Sequence, residues 1–420
     1  MRAFIASRYP ALLSSRFRRY WLGSFASVGG TQLIILGQGW LIFELTGSAL
    51  QLGYLGVAAS VPNIVITLVG GVIADRFDKR RIIIVTSALG ALLLSTLAAL
   101  DYADVVAVWH VLAVAGLFSL VTGLDWPARS AIYPYLVERH ALMSAVALNA
   151  FNWQATRMAI PALGGLLMAV SDTWVVFAIG ALGFAAMSIV MWSMRVDVPG
   201  TRHESALRQL RDGFRFIAAH TLFKWLLFGV FVGMFFSHSY VQIMPLFADL
   251  LGGDERVYGV LLTAGGIGSI IGTPLIGGLH QSERMGWMML GGAITSAMAT
   301  MAFAGSAQAG WLWAALALAV LAAGLASVFM ITAMTVLQMS VPDVLRGRVM
   351  GIHSINFSLA PLGGLFLGAL ADAATAFVAV AVGCTVYIVV IVGIGLLQPM
   401  IRNLGREPIE ELPVPADRPV

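Results

Sequence analysis

Polar side chains inside long apolar runs are the residues of this sequence whose chemistry needs an explanation. Arg157 lies within the apolar run 142–169. A guanidinium at the centre of a membrane helix costs about 2.5–3.5 kcal/mol, so Arg157 must face a cavity or a partner. Asn149, Asn152, Trp153 and Thr156 share with it one helical arc of about 140°. This stripe could bind a small molecule, or it could make an ion pair and hydrogen bonds with neighbouring helices.

Other apolar runs contain smaller groups of polar residues at helical spacing. Thr31 and Gln38 are seven residues apart and share one face. His238 and Gln242 are four residues apart, and His353 and Asn356 are three apart. We expect these residues to form the walls of one substrate cavity together with the stripe around Arg157.

Three of the polar residues are candidates for carrying a proton. An embedded imidazole such as that of His238 can titrate near neutral pH, although a neutral, hydrogen-bonded histidine fits equally well. Glu44 and Asp249 occupy corresponding ends of two runs. They could exchange protons, or they could be solvated acids that cap helices.

The composition requires a membrane protein. Of 420 residues, 59% are hydrophobic and 11% are charged, and the mean hydropathy is +0.88, whereas about a quarter of a soluble domain is charged. A spanning helix needs about 20 apolar residues. The sequence therefore predicts an all-α membrane protein with twelve transmembrane helices, at roughly 20–45, 50–74, 82–100, 105–124, 142–169, 173–194, 222–247, 257–281, 286–304, 311–339, 348–370 and 375–397.

The distribution of charge predicts the topology. With the N-terminus inside, all of the 25 Lys and Arg residues except Arg157 and Arg256 fall in the cytoplasmic loops and tails. This is the positive-inside pattern, so we expect a multi-pass protein of the cytoplasmic membrane with both termini inside. The basic N-terminal arm has no cleavage site and is not a signal peptide. Nucleic acid is not an expected partner, because the basic residues serve the topology.

The two halves of the chain resemble one another. Glu44, Gly53 and Gly71 match Asp249, Gly259 and Gly278 at offsets of roughly 205–207. We predict two pseudo-symmetric bundles of six helices with the substrate site between them. The predicted divisions are an N-terminal bundle (1–194), a cytoplasmic linker with an amphipathic helix (195–220), a C-terminal bundle (221–397) and a cytoplasmic tail (398–420).

The loop GVIADRFDKRR at 71–81 resembles the signature loop of the major facilitator superfamily, except that Asp78 stands in place of the usual glycine and Lys79 in place of arginine. The stretches FRRYWLG (17–23), FELTGSALQLG (43–53) and DWPARSAIYPYLV (125–137) are similar to the drug- and siderophore-exporter branch. The resemblance implies the major facilitator fold and alternation between inward-open and outward-open states.

The resemblance also implies a conformational latch. Asp75 would hold the start of a helix in the opposite bundle, a role that the helix macrodipole supports. Lys79 or Arg80 would pair with Asp125. The expected latch residues are Gly71, Asp75, Arg76, Lys79, Arg80, Asp125 and Arg129. The corresponding turn of the second half, 277–286, has one basic residue, Arg284, so topology alone does not explain the charges at 75–81.

Proline and glycine residues mark helix bends and close contacts. Pro161 with Gly164 and Gly165 resembles part of the antiporter signature, although close packing alone also explains it. Pro361, Gly363 and Gly364 repeat the pattern in the second half.

Enzyme and cofactor chemistry finds no support in the sequence. The motifs GxxxxGK[ST], HExxH, CxxC and GxSxG are absent, which leaves only an intramembrane hydrolase with an unrecognised site. Cys384 is a lone, inert apolar residue. We expect no metal and no cofactor.

The sequence favours a monomeric exporter in the lipid bilayer that exchanges a small amphipathic molecule for protons. An importer or uncoupled facilitator on the same fold, and a non-transporting lipid-handling or sensory protein, are the alternatives.

Overall fold

The computed structural model describes residues 9–196, 206–275 and 283–406, and at positions 68–76, 206–210, 274–275 and 344 it describes the backbone alone. Within these ranges the regular elements are all helices.

Six long α-helices occupy the first half of the described chain: α1 (Ser15–Thr46), α2 (Ala49–Arg76), α3 (Lys79–Tyr102), α4 (Val108–Leu136), α5 (Leu142–Val170) and α6 (Thr173–Ser193). The second half contains α7 (Ala206–Ala219), α8 (Thr221–Val232), α9 (Met244–Leu250), α10 (Glu255–Leu275), α11 (Met285–Gln308), α12 (Leu312–Ser340), α13 (Asp343–Ser354), α14 (Asn356–Ala373), α15 (Ala376–Leu397) and α16 (Pro399–Arg402).

Ten segments of the described chain are long and apolar enough to cross a membrane. They include the composite segments Thr221–Leu250 and Leu345–Ala373. Helices α5 and α10 are further apolar helices of 29 and 21 residues, and α5 contains the polar stripe that lowers its hydropathy. The prediction of an all-α membrane protein with twelve long helices is confirmed.

Two predicted spans are interrupted in the structure. Between α8 and α9 the chain forms a π-helical turn, Gly233–Ser237, followed directly by a 3₁₀ helix, His238–Ile243. The predicted eleventh span is divided at Ile355 into α13 and α14. A π turn within a helix is rare and is frequently found at functional sites, and here it ends immediately before His238.

The chain forms two compact units that exchange short segments. The first unit comprises Met1–Leu45, Ala58–Ser205 and Glu255–Thr263; the second comprises Thr46–Val57, Ala206–Asp254 and Ala264–Val420. Helix α2 therefore begins in the second unit and continues in the first, and α10 does the reverse. Each sequence half contributes the start of one helix to the unit that is built mainly from the other half.

The linker between the halves contains the amphipathic helix that its sequence pattern predicts, now α7. Phe216 and Ile217 on its apolar face are buried. Arg348 of α13 donates a hydrogen bond to Asp212 over 2.9 Å, which fixes α7 against α13. Phe214 remains exposed, and the location of this helix on the inner membrane surface stays a prediction.

Candidate functional site

The polar stripe on α5 is divided between an exposed face and a buried face. Asn149 and Trp153 are partly exposed and Arg157 is exposed. Each of these residues lies four positions after the one before it along the helix. Residues at this spacing are neighbours on one helical surface. The rings of Trp153 and Trp126 meet edge to face with centroids 5.1 Å apart. This face of the first unit therefore presents an amide, an aromatic pair and a guanidinium side by side.

The buried face of the stripe consists of Asn152 and Thr156, each with no exposed surface. Asn152 Nδ2 donates to Ser24 Oγ of α1 over 3.3 Å, and Thr156 Oγ1 donates to the carbonyl oxygen of Asn152 over 2.8 Å. Among the described residues Asn152 Oδ1 has no hydrogen-bond partner. For Asn152 the geometry favours hydrogen bonding between helices over direct contact with a substrate.

The two predicted residues of α1 also differ in how far they are buried. Thr31 is half-buried, and its hydroxyl donates to the carbonyl oxygen of Ser27 over 3.1 Å. Gln38 is buried, and within the described part of the chain its Nε2 has no hydrogen-bond partner. A buried polar atom without a partner is unfavourable, so the Gln38 amide is a place where an internal water would be stabilised.

A buried charged network links three helices of the first unit. Asp125 and Arg129, one turn apart on α4, form an ion pair and are both buried. Thr86 of α3 donates to the second carboxylate oxygen of Asp125 over 2.8 Å, and Arg129 donates to Ser27 of α1 over 2.9 Å. Through Ser24 and Ser27 on α1 the network approaches the buried face of α5. Removal of one partner of such a pair leaves an uncompensated buried charge.

The charged residues of the loop before α3 have structural contacts. Asp78 is the N-cap of α3 and accepts a hydrogen bond from the main-chain N–H of Arg80 over 2.8 Å. The Arg80 guanidinium donates to the carbonyl oxygens of Met191 and Trp192, over 3.0 and 2.8 Å, at the end of α6. Lys79 is buried, and its pairing with Asp125 stays a prediction. The surroundings of Gly71 and the side chains of Asp75 and Arg76 lie outside what the structure describes.

A cavity of about 40 Å³ lies inside the second unit beside the π turn. His238 and Ser237 line one side of it, Ser296 and Thr300 of α11 another, and Tyr387 of α15 a third. The remaining wall is formed by small and apolar residues, mainly of α12. A cavity needs roughly 10–15 Å³ of such volume to hold one water. The space beside His238 is therefore large enough for a few waters, and none of its lining residues is a carboxylate.

The other predicted polar residues of the second unit are engaged within it. His353 and Asn356 are both buried, with His353 Nε2 and Asn356 Nδ2 3.5 Å apart. The described residues offer no partner to Asn356 Oδ1, as with Asn152 in the first unit. Gln242 Nε2 donates to the carbonyl oxygen of Leu52 over 3.1 Å. Phe357, the next residue along the chain from Asn356, is exposed.

The acids Glu44 and Asp249 are both exposed. An exposed location agrees with their alternative interpretation as solvated residues. Among the described residues no group of His, Cys, Asp and Glu could hold a metal ion.

The proline and glycine residues lie at tight crossings. A Cβ at Gly165 would overlap the carbonyl oxygen of Glu255, the first residue of α10, so only glycine permits this approach. Gly164 faces Leu36, and Gly363 and Gly364 of α14 face Phe235 and Gln242.

The sequence matches the model of the transmembrane secretion effector family over residues 6–417. The chain belongs to this family of the major facilitator superfamily. Its curated relatives include the enterobactin exporter EntS of Shigella dysenteriae, which is 28% identical over 360 residues. The match covers 84% of this chain and 85% of that protein. An enterobactin exporter EntS of Escherichia coli O81 is 27% identical over the same length.

Solved transporter structures share the fold. A bacterial homologue of the lysosomal transporter Spinster superposes with a TM-score of 0.68 at 16% identity, over 95% of this chain and 97% of that one. The nucleoside transporter NupG gives a TM-score of 0.69 at 13% identity, over 91% and 99% of the two chains. These structures show the fold, and the family match over residues 6–417 makes the protein a multi-pass membrane transporter and not an enzyme.

Sequence reasoning missed several contacts that the structure shows. Asp125 and Arg129 were among the expected latch residues, but their ion pair with each other was missed, although a spacing of four on one helix indicates such a pair. The proximity of Ser27, Thr86 and Tyr387 to predicted residues depends on tertiary packing, and no local pattern indicated it.

Proposed function

We propose that this protein exports a small amphipathic organic molecule, of the drug or siderophore type, in exchange for protons and by alternating access. The observation that carries the proposal is the exposed face of α5, where Asn149, Trp153 and Arg157 lie side by side in a transmembrane helix. The enterobactin exporters among its relatives support the direction of transport and the class of substrate.

The residues on the exposed faces define the substrate class. A guanidinium binds carboxylates and other planar oxygen groups through paired hydrogen bonds, and aromatic rings bind flat apolar groups. Trp153 with Trp126, and Phe357 in the second unit, supply the rings. A molecule that combines an aromatic body with a polar or anionic group satisfies both kinds of contact.

His238 is the residue proposed to accept the coupled proton. It borders the cavity beside the π turn, which is large enough for a few waters. Waters in contact with an imidazole can deliver and remove a proton.

The proposal also includes location and topology: a monomer in the inner membrane, with both termini in the cytoplasm. The basic inner loops support this orientation.

Transport in proteoliposomes tests the proposal. Purified protein, reconstituted with a panel of fluorescent amphipathic dyes and siderophores, is expected to move at least one of them faster when a pH gradient is imposed. Arg157→Gln should abolish this movement, whereas Arg139→Gln, a matched loss of charge in an inner loop, should leave it unchanged. Movement at the same rate with and without the pH gradient would contradict the exchange of substrate for protons. If no compound moves, the proposed drug or siderophore class of substrate is wrong.

A further inference from the structure

The linker helix α7 presents two arginines and a phenylalanine on one exposed face. Arg211, Phe214, Arg215 and Ala218 are all exposed. Residues three and four apart are neighbours on a helix surface, and these four fall within an arc of about 100°. Together they form the exposed face of α7, on which an aromatic ring and two guanidinium groups lie side by side.

The opposite face of α7 packs against the second unit. Phe216 and Ile217 are buried. A Cβ at Gly213 would lie 3.3 Å from the carbonyl oxygen of Arg348 in α13, and the Arg348 side chain donates to Asp212 over 2.9 Å. These contacts fix the orientation of α7 on α13. The buried apolar residues of α7 contact protein, so they do not anchor the helix in lipid.

The exposed face belongs to a stretch with an excess of positive charge. Asp212 is the only Asp or Glu in residues 206–232, which contain three arginines and a lysine. The Asp212 carboxylate already accepts from Arg348. An anion is therefore the partner that fits this face. Phe214 narrows the choice, because a phospholipid offers apolar chains beside its phosphate and a small soluble anion does not.

Two tryptophans indicate the depth of α7 relative to the bilayer. Trp225 lies in the second turn of α8, with Lys224 Nζ 5.6 Å from its ring centre. Trp287, in the first turn of α11, is exposed, and the guanidinium carbon of Arg402 lies 5.8 Å from its ring centre. Tryptophan is enriched at membrane–water interfaces, where long cationic side chains also place their charge. Only His220 separates α7 from α8, which brings α7 to the level of the lipid headgroups.

We propose that the exposed face of α7 is a binding site for an anionic phospholipid of the inner leaflet. Arg211 and Arg215 bind the phosphate, and the ring of Phe214 contacts the upper part of an acyl chain. The inference rests on the topology included in the proposed function, which places residues 195–220 in the cytoplasm. It does not depend on the direction or the coupling of transport. Because α7 is attached to α13, a bound lipid holds both helices at the inner membrane surface.

Fluorescence quenching in lipid nanodiscs measures this binding on the full-length protein. A fluorophore is attached to Ala218→Cys in a Cys384→Ser background, which has no other cysteine. The quenchers are phosphatidylglycerol and phosphatidylcholine, each with the same nitroxide near the top of one acyl chain. Each arginine near the surface contributes a factor of about five, so phosphatidylglycerol should bind about ten- to thirtyfold more tightly. Salt at about 1 M should remove most of this preference.

Removal of the two cations gives the decisive comparison. Arg211→Gln combined with Arg215→Gln should make quenching by the two lipids nearly equal. The matched control, Arg16→Gln combined with Arg139→Gln, removes two exposed cations of the first unit and should keep the wild-type preference. Equal quenching in the wild type, or a preference that persists in the Arg211 and Arg215 variant, would overturn the proposal. If that variant folds poorly, a wild-type preference that is insensitive to salt would also overturn it.

The acidic end of the chain is the rival occupant of this face. Residues 407–420 contain four acids and one arginine. The wild-type chain should prefer phosphatidylglycerol as strongly as a chain that ends at Arg406. A preference that appears only in the shortened chain would show that the tail covers the face, and it would overturn the lipid site.

Two further readings separate the lipid site from the proposed function. A membrane-impermeant maleimide should label Ala218→Cys in inside-out vesicles and not in right-side-out ones, and the reverse result would overturn the topology and the inner-leaflet site together. The quenching assay contains no substrate and no pH gradient. A lipid preference in a protein that moves no dye keeps the site and contradicts the exporter, whereas transport without the preference contradicts the site alone.

Discussion

Arg157 illustrates how the environment decides what a charged residue in a membrane helix can do. Arg157 is an exposed residue one turn from Trp153, whereas Arg129 is buried against Asp125 and Ser27. Arg129 is compensated by protein groups and can stabilise the bundle. Arg157 lies on an accessible face, and for this reason it is the stronger candidate for contact with a substrate.

Replacement of Arg157 by lysine separates charge from geometry. Lysine keeps the positive charge but loses the planar fork that binds an oxygen pair. We expect Arg157→Lys to bind the exported molecule about tenfold more weakly, the effect of one lost charge-assisted hydrogen bond. Equilibrium binding to detergent-purified protein measures the change, and Arg139→Lys in the inner loop is the matched control. Full affinity in Arg157→Lys would reduce Arg157 to a generic positive charge.

At the scale of elements, charged residues of the loop before α3 make stabilising contacts with helix ends in the first unit. Asp78 caps α3, and Arg80 binds the last carbonyls of α6. Carbonyls at a helix end lack partners within the helix, so Arg80 supplies a favourable cation there. These contacts explain why the loop before α3 has charged residues that the turn at 277–286 lacks. The departure of Asp78 from the family pattern therefore has a local reason.

A capping test follows from this geometry. Asp78→Ala removes the acceptor at the N-cap of α3 and should destabilise the first turn by about 1 kcal/mol. Exchange of the Lys79–Ile83 amides should then become about fivefold faster. Asp78→Asn keeps an acceptor oxygen and should exchange at the wild-type rate, because asparagine caps as well as aspartate. Equal exchange in all three proteins would show that the cap contributes nothing to this turn.

The sequence could predict what depends on local pattern, and it missed what depends on packing. Twelve apolar runs predicted the long helices, because the length of a membrane helix is set by the bilayer. The π turn before His238 was not predictable, since its residues form an ordinary apolar run. Helical spacing placed Asn149 to Arg157 along one helix, but one sequence alone could not show that Asn152 is buried against Ser24 while Arg157 is exposed. The link from Asp372 to Ser48 joins residues more than three hundred positions apart, and no periodicity reports it.

At the scale of the whole molecule, the two halves exchange helix starts in a pseudo-symmetric way. Glu255, the first residue of α10, lies against Gly165, and Ala49, the first residue of α2, lies against Gly368. The stacked rings of Trp40 and Tyr258 secure one exchange, and the carboxylate of Asp372 secures the other. One attachment is therefore aromatic, and the other is a carboxylate that accepts from Ser48 Oγ and from the N–H groups of Ala49 and Leu50.

We predict that the start of α2 leaves α14 in each cycle of the proposed alternating access, and a tight glycine contact offers a way to shift that equilibrium. A Cβ at Gly56 would overlap the carbonyl oxygen of Pro361. Gly56→Ala should cost about 1–3 kcal/mol in the packed state, which shifts the population toward the separated state by about 5- to 150-fold. Leu52 is fully buried, so alkylation of Leu52→Cys in a Cys384→Ser background reports the separation.

The control for this shift is Gly265→Ala on α10, where no described atom lies within 4 Å of an added Cβ. It should leave alkylation at position 52 unchanged. Gly56→Ala should accelerate alkylation because the clash acts only while α2 is packed on α14. Slow alkylation in Gly56→Ala, together with intact transport, would mean that the start of α2 stays on α14 throughout the cycle. The moving contacts of the transporter would then have to lie elsewhere along α2, beyond the segment that Asp372 fastens.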